Sequence, residues 1–312
     1  MSERAGVSIQ AFTATEFVQQ VQQAEDLGIG TAWTTIGGAG GGDPLTIAAA
    51  ALTATSTIRV GTAIIPTWPR HPLAIASQAQ ALHQLAPGRL RLGIGPSHEP
   101  TMTANYGVQW RTPLTHLREY LAVLSALFEE GAVDLDGSHV TAHLRWREPA
   151  DVELLASALR PRSFALCGEL ADGAISWMCP RQYLIEEALP ALTEGAATAG
   201  RATPPLIAHV PIAVSTDREL VRDLARQQLG RYATVPFYRA MFEAAGFPMD
   251  ADDDFPDALL DDLVVSGTAA EVMAGLRTYL DAGCGEVLAA PLLERDDRDG
   301  SITRAFEAVA AV

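Results

Sequence analysis

The alternation of short apolar strand patterns with helical patterns, along almost the whole chain, constrains the fold most strongly. Segments such as RVGTAII and LIAHVPIAV are apolar without a break, as is typical of parallel strands covered on both faces. Apolar residues recur between the strands at a spacing near 3.6, which indicates helices. Eight strands are predicted, at residues 5–10, 31–34, 58–65, 89–94, 152–157, 173–177, 206–214 and 286–290. Eight strand-helix pairs predict a (β/α)₈ barrel of the TIM type, and a doubly wound open sheet is the alternative.

Two segments interrupt this rhythm. Residues 132–142, AVDLDGSHVTA, predict a hairpin inserted between the fourth helix and the fifth strand. A helical and acidic insertion, residues 231–262, precedes the last strand, and its aspartates predict a solvated loop because the spacing of a calcium-binding loop is missing. Residues 1–312 contain no linker that would separate two domains, so we expect one barrel domain.

Two helix starts are marked by a capping residue before a proline. Asp43 precedes Pro44, and Thr112 precedes Pro113. Proline at the first helical position loses no hydrogen bond, because that NH has no partner inside a helix. We therefore expect the side chains of Asp43 and Thr112 to cap these two helices.

The composition excludes several chemistries. All 22 basic residues are arginine, and the absence of lysine rules out a lysine Schiff base and a P-loop. A net charge of −16 disfavours nucleic acid and anionic membranes as partners. The N-terminal segment lacks the features of a signal peptide, so a cytoplasmic protein is expected. The three cysteines, which are far apart, are interpreted as small buried residues, and no metal site is predicted.

In a barrel of this type, functional residues follow the strands, at the carboxyl end of the sheet. After the third strand, PTWPRHP holds Trp68, Arg70 and His71 in a proline-stiffened turn. Arg70 is a candidate anion ligand, or else the partner of a nearby acid. After the fourth strand, GIGPSHEP presents Ser97 and His98. His98 is the candidate for proton transfer, because imidazole titrates near neutral pH, or else it only bonds a loop carbonyl.

Two further loops are candidates. The glycine-rich residues 37–44 follow the second strand and are interpreted as an active-site loop or as a plain surface loop. After the fifth strand, ASALRPR opens a helix whose NH groups, with Ser157, Arg160 or Arg162, are able to bind phosphate, and a simple capped helix is the alternative.

Residues 59–98, 158–178 and 266–291 together resemble the luciferase-like flavin oxidoreductases, and PTWPRHP with GIGPSH resembles the branch that uses coenzyme F420, a deazaflavin. The resemblance implies a TIM barrel, usually a homodimer, with the deazaflavin ring in the barrel mouth. It implies a bulge after the third strand, often with a non-proline cis peptide, that supports the ring. The implied cofactor-binding positions are Ala63, Ile64, Pro96, Ser97, His98, Ala158, Leu159, Arg160 and Trp177.

The sequence departs from relatives that act on sugar phosphates or secondary alcohols. Where those proteins carry an acid and a histidine after the second strand, this chain has Ile36 and Gly37. His98 replaces their acid after the fourth strand, and Arg160 replaces a glycine in the phosphate turn. Sugar-phosphate dehydrogenation is therefore disfavoured.

The resulting hypothesis is an F420-dependent oxidoreductase that transfers a hydride between the deazaflavin and a small organic substrate. His98 handles the accompanying proton, and Trp68 and Trp177 pack on the ring or the substrate. The first alternative is an FMN-dependent luciferase-like monooxygenase. The second is a barrel that binds a flavin without turnover.

Overall fold

A closed barrel of eight parallel strands forms the centre of the molecule, in a computed structural model that describes residues 2–35, 41–249 and 254–312. β10 (Leu206–Ala213) pairs with both β9 (Gly173–Ile175) and β12 (Glu286–Pro291). β1 (Ser2–Ser8) pairs with β12 and with β2 (Ile29–Thr35), so that the eight strands leave no edge unpaired. The barrel prediction is confirmed and the open sheet is excluded. The barrel strands are β1 (Ser2–Ser8), β2 (Ile29–Thr35), β3 (Arg59–Ala63), β5 (Leu90–Gly95), β8 (Glu153–Ser157), β9 (Gly173–Ile175), β10 (Leu206–Ala213) and β12 (Glu286–Pro291).

Helices surround the barrel and lie between its strands, where the apolar spacing near 3.6 predicts them. The helices are α1 (Ala14–Asp26), α2 (Pro44–Ala54), α3 (Pro72–Leu85), α4 (Glu99–Tyr106), α5 (Pro113–Glu130), α6 (Pro161–Leu170), α7 (Arg181–Tyr183), α8 (Leu189–Thr198), α9 (Arg218–Leu229), α10 (Pro236–Ala244), α11 (Asp257–Leu263), α12 (Ala269–Asp281) and α13 (Arg298–Ala310). A π-helical turn, Leu184–Ala188, joins α7 to α8, and a 3₁₀ turn, Gly230–Thr234, precedes α10.

One of the two predicted caps is confirmed. The Asp43 carboxylate accepts the NH of Thr46 at 2.8 Å and caps α2. The prediction for Thr112 was wrong, because this residue adopts a left-handed conformation with φ of 40°. Its hydroxyl instead lies 2.7 Å from Nε2 of His139, so a tertiary contact replaces the local cap.

Both predicted insertions are present. The hairpin consists of the antiparallel strands β6 (Ala132–Asp136) and β7 (Thr141–Arg145). The second insertion contains the 3₁₀ turn, α10, α11 and β11 (Val265–Ser266), which pairs with β10. Its described acids do not form a free loop as predicted, since Asp257 and Asp261 on α11 pair with Arg222 of α9 at 2.9 and 2.7 Å. Residues 250–253 of the acidic run lie outside the described residues.

A single indole fills the middle of the barrel lumen. Trp33 is completely buried and packs with Leu155, Ile175 and Leu288. Glycines make room for it, because a β-carbon on Gly61 would lie 2.3 Å from the Trp33 ring. One on Gly6 would lie 2.5 Å from Nε1 of the same indole. The lumen is thus a packed core at this level.

Below Trp33, at the amino-terminal end of the strands, the lumen holds a buried ion cluster. Arg91, 2% exposed, bonds both oxygens of Glu153 at 2.6 and 2.7 Å and both oxygens of Glu286 at 2.8 and 2.6 Å. Its guanidinium also lies 4.7 Å from the centroid of the Trp33 ring. Burial raises the pKa of Glu286, and the charge of Arg91 opposes that rise. Two bidentate carboxylate pairs therefore close this end of the barrel.

Cys167, Cys179 and Cys284 are buried free thiols, as predicted. In the described parts of the chain, no helix combines the length and apolar character that crossing a bilayer requires.

Candidate active site

The end of β5 delivers His98 to the barrel mouth. Gly95 ends the strand, and a β-carbon there would lie 2.0 Å from Oγ of Ser157 on the neighbouring strand β8. Ser97 adopts a left-handed conformation with φ of 63°, which is uncommon for a residue other than glycine. The chain turns sharply there, and His98 becomes the residue before α4. Strained backbone of this kind concentrates at functional sites.

The His98 ring is half-buried against aromatic side chains from the second insertion. Its centroid lies 5.7 Å from those of Tyr232 and Phe237 and 5.9 Å from that of Tyr238. We call these three residues the aromatic wall. Burial, and secondly the charge of Arg231, lowers the pKa of His98 below its ordinary value. The lowered pKa favours the neutral form of this ring at pH 7. No described residue hydrogen-bonds the imidazole, so both of its nitrogen atoms are available to a ligand.

A second imidazole lies at the same end of the lumen. His209 of β10 is 6% exposed, and its ring centroid is 4.1 Å from that of Trp177. Burial lowers the pKa of His209 to about 3, so this ring is neutral too. Nε2 of His209 and Nε1 of Trp177 are both buried without a hydrogen-bond partner in the described structure. Such atoms carry a desolvation cost, and that cost is relieved when a bound group supplies a partner.

Trp177 was predicted to end the sixth strand, and here the boundary was wrong. β9 ends at Ile175, and Trp177 lies two residues beyond it. The next residue, Met178, has a left-handed φ of 52°. Trp177 nevertheless lies beside the mouth, with its ring centroid 6.0 Å from that of Tyr232.

The strand-three bulge is confirmed. β3 ends at Ala63, the Ala63–Ile64 peptide bond is cis, and a short strand β4 (Ile65–Pro66) resumes pairing with β5. Ile64 belongs to the lumen cluster around Trp33. The bulge therefore lies beside Gly95, whose hypothetical β-carbon would be 3.3 Å from Cδ1 of Ile64.

The PTWPRHP turn is held by other parts of the chain. The Trp68 ring is stacked on His116 of α5, with centroids 3.8 Å apart and planes 4° apart. Trp110 and His139 contact the same indole, at 5.3 and 5.9 Å. His71 caps α3 through Nδ1 and lies 3.1 Å from the carbonyl oxygen of Thr141 on the hairpin. The structure brings Trp68 together with α5 and the hairpin, and its predicted contact with a ring or substrate stays a prediction.

Of the two interpretations of Arg70, the structure supports the pairing with a nearby acid. Its guanidinium forms an ion pair with Asp43, the residue that caps α2. The backbone carbonyl of Arg70 accepts the hydroxyl proton of Tyr120 at 3.1 Å. The charge of Arg70 is therefore compensated within the protein, which argues against its predicted role as an anion ligand.

The predicted phosphate turn is built around a residue that sequence reasoning missed. The Ser163 hydroxyl oxygen accepts the NH groups of both Leu159 and Arg160 at 3.1 Å. The NH of Ala158 bonds Ile175. Between Ala158 and Ser163, only the NH of Arg162 is left without a described partner. The backbone contributes fewer free donors than expected, so an anion here must depend on the exposed guanidinium groups of Arg160 and Arg162.

The structure offers no competing catalytic centre among the residues that it describes. No three histidine, cysteine or acidic side chains are arranged to hold a metal ion. A polar groove lies between α1 and α13, but its charges are already paired, since Arg298 contacts Glu16 at 2.6 Å. The mouth is therefore the candidate active site.

Several residues of this site gave no clear signal in the sequence. His209 lies inside an apolar strand, and the wall residues lie in an insertion that was interpreted only as a longer connection. The high aromatic content of YATVPFYRAMF is the one signal that could have indicated a binding surface.

Comparisons with known proteins show the family and the fold of the chain. Residues 2–285 match the family described as luciferase-like monooxygenase. An uncharacterised Mycobacterium tuberculosis protein is 28% identical over 210 residues, which are 62% of this chain and 62% of that relative's length. An F420-dependent glucose-6-phosphate dehydrogenase from Beutenbergia cavernae is 33% identical over 183 residues, or 56% of this chain and 54% of that protein. Among solved structures, an F420-dependent secondary alcohol dehydrogenase superimposes with a TM-score of 0.78 at 19% identity over 99% of both chains, so it has the same fold.

Proposed function

The chain belongs to the luciferase-like monooxygenase family, and from that premise we propose that it is an F420-dependent oxidoreductase acting on a small organic alcohol or carbonyl compound. The observation that carries the proposal is the neutral, unbonded His98 imidazole at the mouth. F420-dependent enzymes among the relatives add support. When bound, the deazaflavin supplies hydride transfer, and the protein must supply position and a proton path.

The residues of the mouth fit a flat heteroaromatic cofactor. Gly95 leaves one wall of the mouth without a side chain, and Ile64 at the cis peptide forms the adjacent surface. Trp177 and His209 bring two polar atoms that lack partners. Ala158 and Leu159, with Ser157 before them, continue this edge toward the phosphate turn, where Arg160 and Arg162 are exposed cations for a phosphate and an acidic tail.

His98 performs the proton chemistry in this proposal. Because its pKa is lowered, the imidazole at neutral pH accepts the hydroxyl proton of an alcohol rather than repelling it as a cation. In the reverse direction, the protonated ring returns the proton to the carbonyl oxygen. Ser97 and Pro96 fix the position of His98 by setting the turn after β5.

Cofactor titration tests the proposal. Purified protein is titrated with F420 and with FMN, each in both redox states, and the dissociation constants are measured by fluorescence and calorimetry. We expect F420 to bind at least tenfold more tightly than FMN. Tight binding of FMN without binding of F420 would replace the proposal with the monooxygenase alternative.

A second measurement addresses assembly. A homodimer is our proposal from the family resemblance, and light scattering of the purified protein checks it. A monomer at micromolar concentration contradicts that part of the proposal and leaves the cofactor assignment intact.

A further inference from the structure

The aromatic wall bears on which substrates reach His98. Tyr232 and Tyr238 are 6% and 5% exposed, and their ring centroids lie 4.8 Å apart. Phe237 packs against Tyr238 at 5.1 Å and keeps part of its surface exposed. It is therefore the wall residue that a molecule lying next to His98 is able to contact.

The charges around His98 limit what that molecule carries. Among the described residues, the charged group that acts on His98 is Arg231, an exposed residue at the edge of the wall. Its guanidinium lies over the Tyr232 ring, 4.9 Å from the centroid, and donates to the Tyr232 hydroxyl at 3.0 Å. No described carboxylate contributes to the charge acting on the imidazole. An ammonium group placed there therefore loses its hydration and gains only cation–π contacts with the wall, which offset a small part of that loss.

An anionic group next to His98 faces a related cost. The aromatic side chains of the wall replace its hydration shell with apolar surface. The one nearby cation, Arg231, is exposed at the edge of the wall, where water screens its charge. An uncharged molecule has no charged group to dehydrate, and it gains dispersion contacts with the phenyl ring of Phe237.

We propose that Phe237 is the specificity-determining residue of this site and that it selects an uncharged substrate with an apolar ring or chain beside the reacting carbon. This inference rests on the proposed function for the reaction itself. In the oxidation direction, the C–H and O–H bonds of the alcohol break and a C=O bond forms. A bound, oxidised deazaflavin would accept the hydride, and His98 would accept the hydroxyl proton.

Three matched primary alcohols test the charge selection: cyclohexylmethanol, trans-4-aminocyclohexylmethanol and trans-4-(hydroxymethyl)cyclohexanecarboxylate. Their binding to the protein is measured by calorimetry, with and without F420, and their turnover is followed by the absorbance of the cofactor. We expect the neutral alcohol to bind at least tenfold more tightly than either charged analogue. Equal or tighter binding of a charged analogue overturns the proposal.

Variants test the assignment to Phe237. Phe237→Ala is expected to raise the dissociation constant and KM of the neutral alcohol at least tenfold, while the affinity for F420 stays unchanged. Phe237→Leu, which keeps most of the apolar surface, is expected to restore most of the loss. Leu85→Ala, which removes an exposed apolar side chain at the end of α3, is the control and is expected to change neither constant.

The outcomes separate the two proposals. Unchanged substrate binding in Phe237→Ala overturns the specificity role, whether or not the cofactor binds. If the wild-type protein does not bind F420, the proposed function is overturned. The calorimetry of the ring alcohols without cofactor still decides the role of Phe237.

Discussion

The two ends of the barrel lumen differ in whether their buried polar groups have partners within the protein. At the amino-terminal end, Arg91 is buried and every one of its contacts with Glu153 and Glu286 is short. At the carboxyl end, His98 and His209 are neutral, and the buried nitrogen atoms of Trp177 and His209 lack partners in the described structure. At the amino-terminal end the charges are paired within the protein, whereas the carboxyl end holds polar atoms that a ligand is able to hydrogen-bond. The first end maintains the fold, and the second is free to bind.

The largest effect on this difference between the two ends is expected from a substitution at the amino-terminal end. Arg91→Met leaves the buried Glu286 without the guanidinium that bonds it and removes the nearest partner of the half-buried Glu153, and we expect a loss of about 3–5 kcal/mol in the free energy of unfolding. Urea denaturation followed by circular dichroism measures it. Arg118→Ala, which breaks the more exposed pair with Glu169, is the control and is expected to cost about 0–1 kcal/mol. Equal losses in the two variants would show that the cluster does not stabilise the barrel.

At the open end, His98→Ala is expected to act on the reaction and not on the fold. Loss of a proton acceptor lowers kcat by about 10²-fold or more. The midpoint of urea unfolding is expected to stay at its wild-type value. Steady-state kinetics with reduced and oxidised F420 provide the measurement. Unchanged turnover removes His98 from the mechanism, and absence of turnover in the wild-type protein with F420 bound favours the non-catalytic barrel.

A smaller effect is expected at the phosphate turn. Ser163→Ala removes the acceptor of two NH groups, each worth about 1 kcal/mol, and releases the segment that carries Arg160 and Arg162. We expect the affinity for F420 to fall about fivefold to tenfold. A deazaflavin analogue without the phosphate should bind as it does to the wild type. Ser125→Ala on α5, whose hydroxyl bonds Glu129, serves as the control. If both ligands weaken equally, the turn does not hold the phosphate.

The smallest effect concerns pH. The neutral form of His98 is present above its pKa, which burial and Arg231 hold below the ordinary value, so kcat/KM is expected to fall as the pH drops through that pKa. Arg231→Gln removes a charge that disfavours protonation, and the pKa therefore rises. We expect the acidic limb of the pH profile to move to higher pH by a fraction of a unit. A limb that stays in place or moves the other way contradicts a role for Arg231 in setting this pKa.

The barrel was predictable from the sequence because its signals are local. Unbroken apolar strands, helical periodicity and the cap at Asp43 are each read within a few residues. The cis peptide at Ala63–Ile64 was also found, although through family resemblance and not through any pattern in the residues.

The contacts that join distant residues, both inside the site and elsewhere in the barrel, were not predictable from the sequence. Arg91 meets Glu286 across 195 positions of the chain, and no spacing rule connects them. Thr112 has the composition of a capping residue, yet His139 competes for its hydroxyl. Phe237 approaches His98 only once the second insertion folds over the mouth. Each of these contacts requires the closed barrel to exist first.

The indole of Trp33 has a consequence for how this chain is able to change over time. Because it occupies the space left by Gly6 and Gly61, the three positions are not free to mutate one by one. A side chain gained at position 61 is tolerated only together with a smaller residue at position 33. At position 6 a β-carbon would also lie 2.9 Å from the carbonyl oxygen of Thr31, so this glycine is constrained by backbone as well. Among descendants of this sequence, these three sites are expected to vary as a group or to stay fixed, while the residues of the mouth above them diversify independently.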